Sequence, residues 1–297
     1  MADASTGYDD GFLPIAVQVP APTVPRLLHT LPYVHFTVLL DPVRRLPAST
    51  GVNIDGAQLL DLERGDDWHL EPRIPVAEQA GPELYAGNDL DRGHQVRRRD
   101  PVWGDPAVAA AANESTFVYT NCAPQVGIFN QSQELWAGLE DYVLGYARTY
   151  QQKLNVYTGP VLAPDDPSYR GVQIPRLFWK IAAWTERLTD GTFELAATGY
   201  VLDQTPELDD IDLATARALA AGNPPPLGPY KTYQVPIADI GTLTGLNVSQ
   251  LSAADRFVAT PTAPVPAPVP APASREALKQ RWVELSTVDD ITLAART

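Results

Sequence analysis

Four consecutive residues, Asp91-Arg92-Gly93-His94, set an acid, a guanidinium and an imidazole side by side, and Arg97, Arg98 and Arg99 follow at once. A neutral imidazole can take a proton from water near pH 7 and give it up later. A guanidinium can grip two phosphate oxygens at once. Those two abilities together suit the hydrolysis of a phosphodiester. Gly93 permits tight backbone geometry beside the base, and Asp91 either orients its neighbours or holds a structural hydrogen bond.

A second group lies in TNCAPQVGIFNQ, residues 120–131, where Asn121 and Asn130 are uncharged oxygen donors. Magnesium prefers oxygen ligands, keeps several of its waters and needs few protein groups. One Asn ligand would leave the ion mostly hydrated and open to substrate oxygens, and Glu140 could hold the ion's waters through hydrogen bonds. Taken in isolation, Asn130 at a loop–helix junction fits an N-cap better than a metal ligand.

The charge balance at first speaks against a nucleic-acid partner. The 297 residues carry 22 Lys and Arg against 36 Asp and Glu, a formal net charge of -14. Binding responds to the local field, however, which salt screens beyond about 8 Å, and the arginines are clustered around His94, with Arg44 and Arg45 as a second pair. Arg97, Arg98 and Arg99 read equally as substrate-groove charges and as a salt-bridge cluster with Asp100 and Asp105. The single cysteine, Cys122, excludes an internal disulfide and reads as a small buried residue rather than a nucleophile. The N-terminal stretch has neither the basic nor the apolar region of a secretory signal, and no run reaches the roughly twenty apolar residues of a membrane helix. The expectation is a soluble chain, cytoplasmic or exported by a signal-less route.

The elements that must position these residues follow from hydrophobic period. YVHFTVLLD (33–41) alternates as a strand and TFVYTN (116–121) reads as a short one, with turn chemistry in NIDG (53–56) between them. QELWAGLEDYVLGYARTYQQKL (133–154) repeats apolar residues at helical spacing, from Leu135 to Tyr150, and predicts one buried stripe. Further strands are expected at 156–162, 176–184, 193–202 and 231–240, and a short helix in IDLATARALAAGNPPP. Residues 1–28 read as a leader arm, 29–258 as the domain and 259–274 as a Pro/Ala tether in polyproline II. Residues 275–297 are expected to dock back on the body. The fold class is α+β.

DRGH, the TN-x-x-PQ strand end, then FNQ and W-x-x-LE on a helix resemble the DNA/RNA non-specific endonucleases of the ββα-metal superfamily. The flanks HFTVLLDPVRR, NIDG, VYTGPVL, IPRLFWKI, YVLDQ and YQVPIADI agree, so the resemblance spans roughly residues 33–250. It implies a central antiparallel sheet carrying the catalytic ββα element, with helices on both sides. It implies His94 as general base, Asn130 as the sole direct protein ligand of one Mg²⁺ (Mn²⁺ being able to substitute), and Glu140 on the metal's waters. Asn121 would shape the site beside the histidine, Arg92 would face phosphate, and an upstream arginine, Arg45 in preference to Arg44, would bind it. DNA and RNA are the implied substrates, with 5′-phosphate products. The ten-residue step from Asn130 to Glu140 is longer than the family pattern; Asn130 then lies in irregular chain before a helix starting near Ser132, or else Glu134 takes the role of Glu140.

A binding module of the same fold with a decayed site, and a phosphodiesterase narrowed to a special substrate, are the alternatives. The intact His94, Asn130 and Glu140 argue against decay. A free nuclease endangers its maker, so an inhibitor or a larger assembly reached through the N-terminal arm is expected as a partner, with a homodimer an open alternative. Trp103 is a candidate for stacking on a base.

Overall fold

The longest strands alternate so that both faces meet apolar neighbours. In Leu177–Arg187, Leu177, Trp179, Ile181 and Ala183 point to one core while Phe178, Ala182 and Trp184 point to the other. Such a strand needs cover on both sides. The structure is a computed structural model and describes residues 7–126, 143–228, 230–258 and 274–294.

The main sheet contains β1 (His29–Tyr33), β2 (Phe36–Asp41), β3 (Leu46–Asp55), β6 (Lys153–Pro160), β9 (Leu177–Arg187), β10 (Phe193–Asp203), β11 (Lys231–Val235) and β12 (Val283–Leu285). They form one eight-stranded antiparallel sheet in the order β1-β2-β3-β6-β9-β10-β11-β12. A separate two-stranded pair joins β4 (Leu90–His94) to β5 (Cys122–Val126), and another joins β7 (Ser168–Tyr169) to β8 (Val172–Gln173). The helices are α1 (Pro82–Tyr85), α2 (Pro106–Ser115), α3 (143–150 as described), α4 (Ile211–Ala220), α5 (Ile237–Thr244), α6 (Ser249–Ala253) and α7 (Arg275–Lys279).

One face of the sheet carries the β4–β5 pair and α3, through Leu90, Ala123, Val143, Leu144 and Ala147. The other carries Leu13 and Val17 from the N-terminal stretch, Ile237 and Ile240 from α5, and Trp282 near the C-terminus. The stretch read as a leader arm is therefore packed on the sheet from residue 7 onward. Its Tyr8 hydroxyl lies 2.6 Å from that of Tyr157 and donates to Val17 O.

Several elements differ from the sequence reading. The strand 33–41 is a hairpin: Tyr33 pairs with Phe36 across a two-residue turn in which His35 adopts φ 66°. The alternation runs unbroken through the turn, which hides it. His35 is held there by Pro101 O at 2.8 Å and by stacking on Trp103 at 3.6 Å, and Trp103 Nε1 donates to Asn53 O, so that indole serves the fold. Residues 119–121 form a 3₁₀ turn rather than strand, and the strand starts at Cys122. The long helix ends by residue 150 because Lys153 opens β6, and Tyr150 is exposed rather than part of the buried stripe. The strand expected over 231–240 stops at Val235, where Pro236 starts α5. Helix α2 was not anticipated, although Asp105 caps it by accepting from Ala107 N and Pro106 takes its first turn.

The C-terminal segment extends the sheet. β12 pairs with β11, and Gln234 exchanges two hydrogen bonds with the backbone of Thr292. Trp282 Nε1 and the Arg281 guanidinium both reach the fully buried carboxylate of Asp239. Of the Pro/Ala tether read over 259–274, residues 259–273 lie outside the described residues, and Ser274 caps α7 by accepting from Ala277 N.

Candidate active site

β4 carries Asp91, Arg92, Gly93 and His94, and each has a partner on β5: Gln125, Pro124, Ala123 and Cys122 in turn. β3, buried along all ten residues, is the strand of the main sheet on which β5 and the 119–121 turn rest. The motif therefore lies on the strand that pairs with β5, with His94 at its end. A side chain on Gly93 would start 2.0 Å from the Gln125 amide, so glycine leaves room for that side chain to lie over the motif.

Chain leaving His94 is fixed by Asn121. Its Oδ1 accepts from Val96 N at 2.9 Å, and its Nδ2 donates to Val96 O at 3.0 Å and Thr116 O at 3.1 Å. The Asn121 backbone carbonyl accepts from Gln95 N at 2.8 Å. Every hydrogen of this buried amide is used, so Asn121 acts by positioning the turn after His94. Cys122 is equally inert: burial pushes its thiol up to about 12, and it sits between Tyr119 O and the Tyr85 hydroxyl.

His94 is half-buried and enclosed by aromatic rings. Trp68 stands 4.7 Å away at 54°, and Phe117 meets it edge-on at 5.3 Å and 86°. Nε2 is closed off from solvent and has no hydrogen-bond partner among the described residues. Burial first, then the charges of Arg64, Arg98 and Arg92, bring the imidazole down to about 3. The ring is thus neutral at physiological pH. A buried acceptor without a donor costs about 1–3 kcal/mol, and here it stands in the field of three guanidiniums.

The arginines separate into two groups. Arg92 covers the Trp68 ring at 5.0 Å and stands 3.8 Å from Asp66. Arg64 is exposed, its charge is felt by Asp91, His94 and Arg98, and no ion pair to it is found among the described residues. Arg98 donates to Leu62 O and Asn113 Oδ1, both at 3.0 Å, and Arg99 pairs with Asp61, which also takes Arg148 at 3.1 Å. These bonds tie the 61–64 segment to the loop after His94. Arg97 is half-buried in that loop. Of the acids expected to meet this run, Asp105 caps α2 instead.

Arg44 and Arg45 face elsewhere. Arg44 donates to Asp166 at 2.7 Å and to Ala163 O at 2.9 Å. Arg45, at φ 60°, donates to Gln79 O and to Glu83. Both are spent on structural carbonyls and carboxylates, and neither contributes to the field at His94. Arg64 and Trp68 are the site residues that the sequence reading missed. Their segment reaches the site because His69 pairs with Val118: His69 N donates to Phe117 O and Tyr119 N donates to His69 O. The ERGDDW stretch contained the right chemistry but no local period to place it.

Asn130, Glu134 and Glu140 lie outside the described residues, and no group of three metal-ligating side chains occurs among the described ones. The surrounding guanidiniums suit an anion such as phosphate, and the unpartnered Nε2 suits a hydrogen-bond donor such as water.

The family model of the DNA/RNA non-specific endonucleases matches residues 19–255. An uncharacterized protein, y4fB of Sinorhizobium fredii, is 39% identical over 277 residues, covering 86% of this chain and 40% of the relative. Mitochondrial endonuclease G of Bos taurus is 31% identical over 161 residues, covering 50% of this chain and 49% of that protein. A nuclease of Syncephalastrum racemosum is 28% identical over 172 residues, covering 52% and 50%. The chain spans about half the length, or less, of these curated relatives. The crystal structure of an EndoG/EndoGI complex shares the fold, with TM-score 0.53 at 20% identity over 75% of this chain and 86% of that one.

Proposed function

The chain belongs to the DNA/RNA non-specific endonuclease family, and from that premise we propose that it hydrolyses phosphodiester bonds of DNA and RNA with His94 as general base, leaving 5′-phosphate ends. The observation that carries this reading is the closed-off, unpartnered Nε2 of His94 among arginines.

Phosphodiester hydrolysis needs a base for water, compensation of charge on the phosphate and help for the leaving oxygen. His94 is held in its proton-accepting form. Burial, and after it the arginines, oppose an imidazolium and weaken the ring as a base. A bound phosphate offsets the arginine field and raises the basicity of His94 when a water stands ready. Arg92, retained over Trp68, and Arg64, exposed beside it, are placed to receive the phosphate oxygens. Mg²⁺, or Mn²⁺ in its stead, would be held by Asn130 with Glu140 on its waters, and when bound would stabilise charge on the phosphate and on the leaving 3′ oxygen. Burial raises the Asp91 carboxyl despite Arg92 and Arg64.

Digestion of plasmid DNA and of RNA with Mg²⁺ or with EDTA, wild type beside His94→Ala, tests the proposal. General-base help is worth about 10²- to 10⁴-fold, so His94→Ala is expected to lose at least a hundredfold in rate, and EDTA to abolish cleavage. Cleavage indifferent to His94→Ala refutes the assigned base. Nucleic-acid binding without any cleavage by the wild type would mean a decayed site.

A further inference from the structure

A two-stranded pair such as β4–β5 is marginal by itself, and its outer edge leaves backbone groups that must find partners. On β5 those groups are Val126 N–H and the Pro124 carbonyl, and a single side chain answers both. Gln204 Oε1 accepts from Val126 N at 3.1 Å, while Gln204 Nε2 donates to Pro124 O at 3.3 Å and to Pro175 O at 2.7 Å. Gln204 is fully buried. Its backbone is fixed as well, donating to Arg176 O at 2.9 Å and accepting from Gly228 N at 2.8 Å.

We propose that Gln204 is a positioning residue of the active site: its side-chain amide stands in for the peptide of a missing third strand and locks the strand pair that presents His94 to the end of β10. The chemistry is orientation-specific. The amide oxygen faces an N–H and the amide nitrogen faces two carbonyls, so a flipped amide or a carboxylate would set like against like. Pro124 has no N–H to offer, so one acceptor and one donor at this edge are what the strand pair requires. The residues next to Gln204 anchor the lock: Asp203 takes Thr205 N at 2.8 Å and is paired with Lys279 of α7. The role rests on His94 being the base, as proposed above.

Gln204→Met keeps the volume and removes the amide. The expected result is a folded protein whose kcat falls about 10- to 100-fold, the scale of a misplacement of about 1 Å at the reacting groups. With four histidines in the chain, ring proton signals can be assigned by substitution, and the His94 signal should move while those of His29 and His69 stay. Loss of thermal stability with kcat and the His94 signal unchanged would overturn the proposal. Should Gln204→Met not fold, amide exchange in the wild type decides: Val126 and the other β5 amides should be protected to the same level as those of β10, and much faster exchange in β5 would show that the pair is not locked. Because the ring signals and the exchange are read without cleavage, failure here is distinguishable from failure of the nuclease assignment.

Discussion

The indole of Trp68 lies 4.7 Å from the imidazole of His94, ring centre to ring centre, and carries Arg92 at 5.0 Å. One aromatic ring thereby supports both the imidazole proposed as base and the Arg92 guanidinium. Removing it in Trp68→Ala admits water to the imidazole and relieves the burial that dominates its lowered pKa. The acid limb of kcat/KM reports the free enzyme's base. It should lie well below pH 6.5 in the wild type and move up toward pH 6.5 in Trp68→Ala. In the wild type the acid limb of kcat should lie above that of kcat/KM, because bound phosphate offsets the arginines. Superimposable profiles for the two proteins would remove Trp68 from the account.

The same imidazole makes stability depend on pH. Its ordinary value of 6.5 falls to about 3 in the folded chain, so between those limits the unfolded chain binds more protons. Stability therefore falls as pH drops from 6.5 toward 3. Comparing urea unfolding of wild type and His94→Leu at pH 7 and pH 5 isolates this contribution, which approaches about 1.4 kcal/mol per pH unit in the window. Glu71 does not intervene between pH 7 and pH 5. Burial opposes its charged form, but hydrogen bonds from Arg73 and Tyr33 outweigh burial and hold it at about 2, so its contribution is lost only below its ordinary 4.5. Asp166, raised to about 6 chiefly by burial, works in the opposite direction and cancels in the comparison. Equal pH slopes for both proteins would contradict the buried neutral ring.

Asn121 offers a case where site and stability coincide. Asn121→Ala strands Val96 N–H, Val96 O and Thr116 O without partners in a buried setting. Each costs about 1–3 kcal/mol, so a loss of about 3 kcal/mol or more is expected in denaturant unfolding. Asn121→Asp should be worse, since a carboxylate would confront two carbonyls. A loss within 1 kcal/mol for the alanine variant would count against the clamp.

Some of this was legible in the sequence because it is local. The motif DRGH with its flanks pointed to an α+β fold with a central antiparallel sheet, and the apolar runs at 156–162, 176–184 and 193–202 located three of its strands, whereas the pairing of DRGH with CAPQV was not read. What was not legible depends on distant pairings. Nothing near Arg44 reveals that Asp166 will claim it, and nothing near Arg64 reveals that the His69–Val118 bridge will carry it to His94. The hairpin at Val34–His35 was hidden because its alternation has no break, and the Gln204 lock because a lone glutamine carries no period. Binary patterns place elements; hydrogen bonds between far residues assign the roles.

The approach of α3 to β3 yields a pair of opposite predictions. A Cβ on Gly56 would stand 2.0 Å from Ala147 O, 2.3 Å from Ala147 C and 2.7 Å from Gln152 O, all of them backbone atoms that cannot rotate away. Gly56 N donates to Gln152 O and Gln152 N donates to Ala147 O, each at 2.9 Å, so the end of α3 is stitched onto the exit of β3. Gly56→Ala must push that helix end outward, with an overpacking cost of about 1–3 kcal/mol or more. If Asn130 and Glu140 hold the metal, the displacement also raises the Mg²⁺ concentration needed for half-maximal cleavage. Gly145 on the same helix is exposed, and nothing lies within 4 Å of a Cβ added there. Gly145→Ala should therefore stabilise by about 0.5–1 kcal/mol through helix propensity alone and leave the Mg²⁺ requirement unchanged. Thermal unfolding and Mg²⁺ titrations of both variants read the two signs, and a harmless Gly56→Ala would mean that α3 is not seated against β3 by this contact.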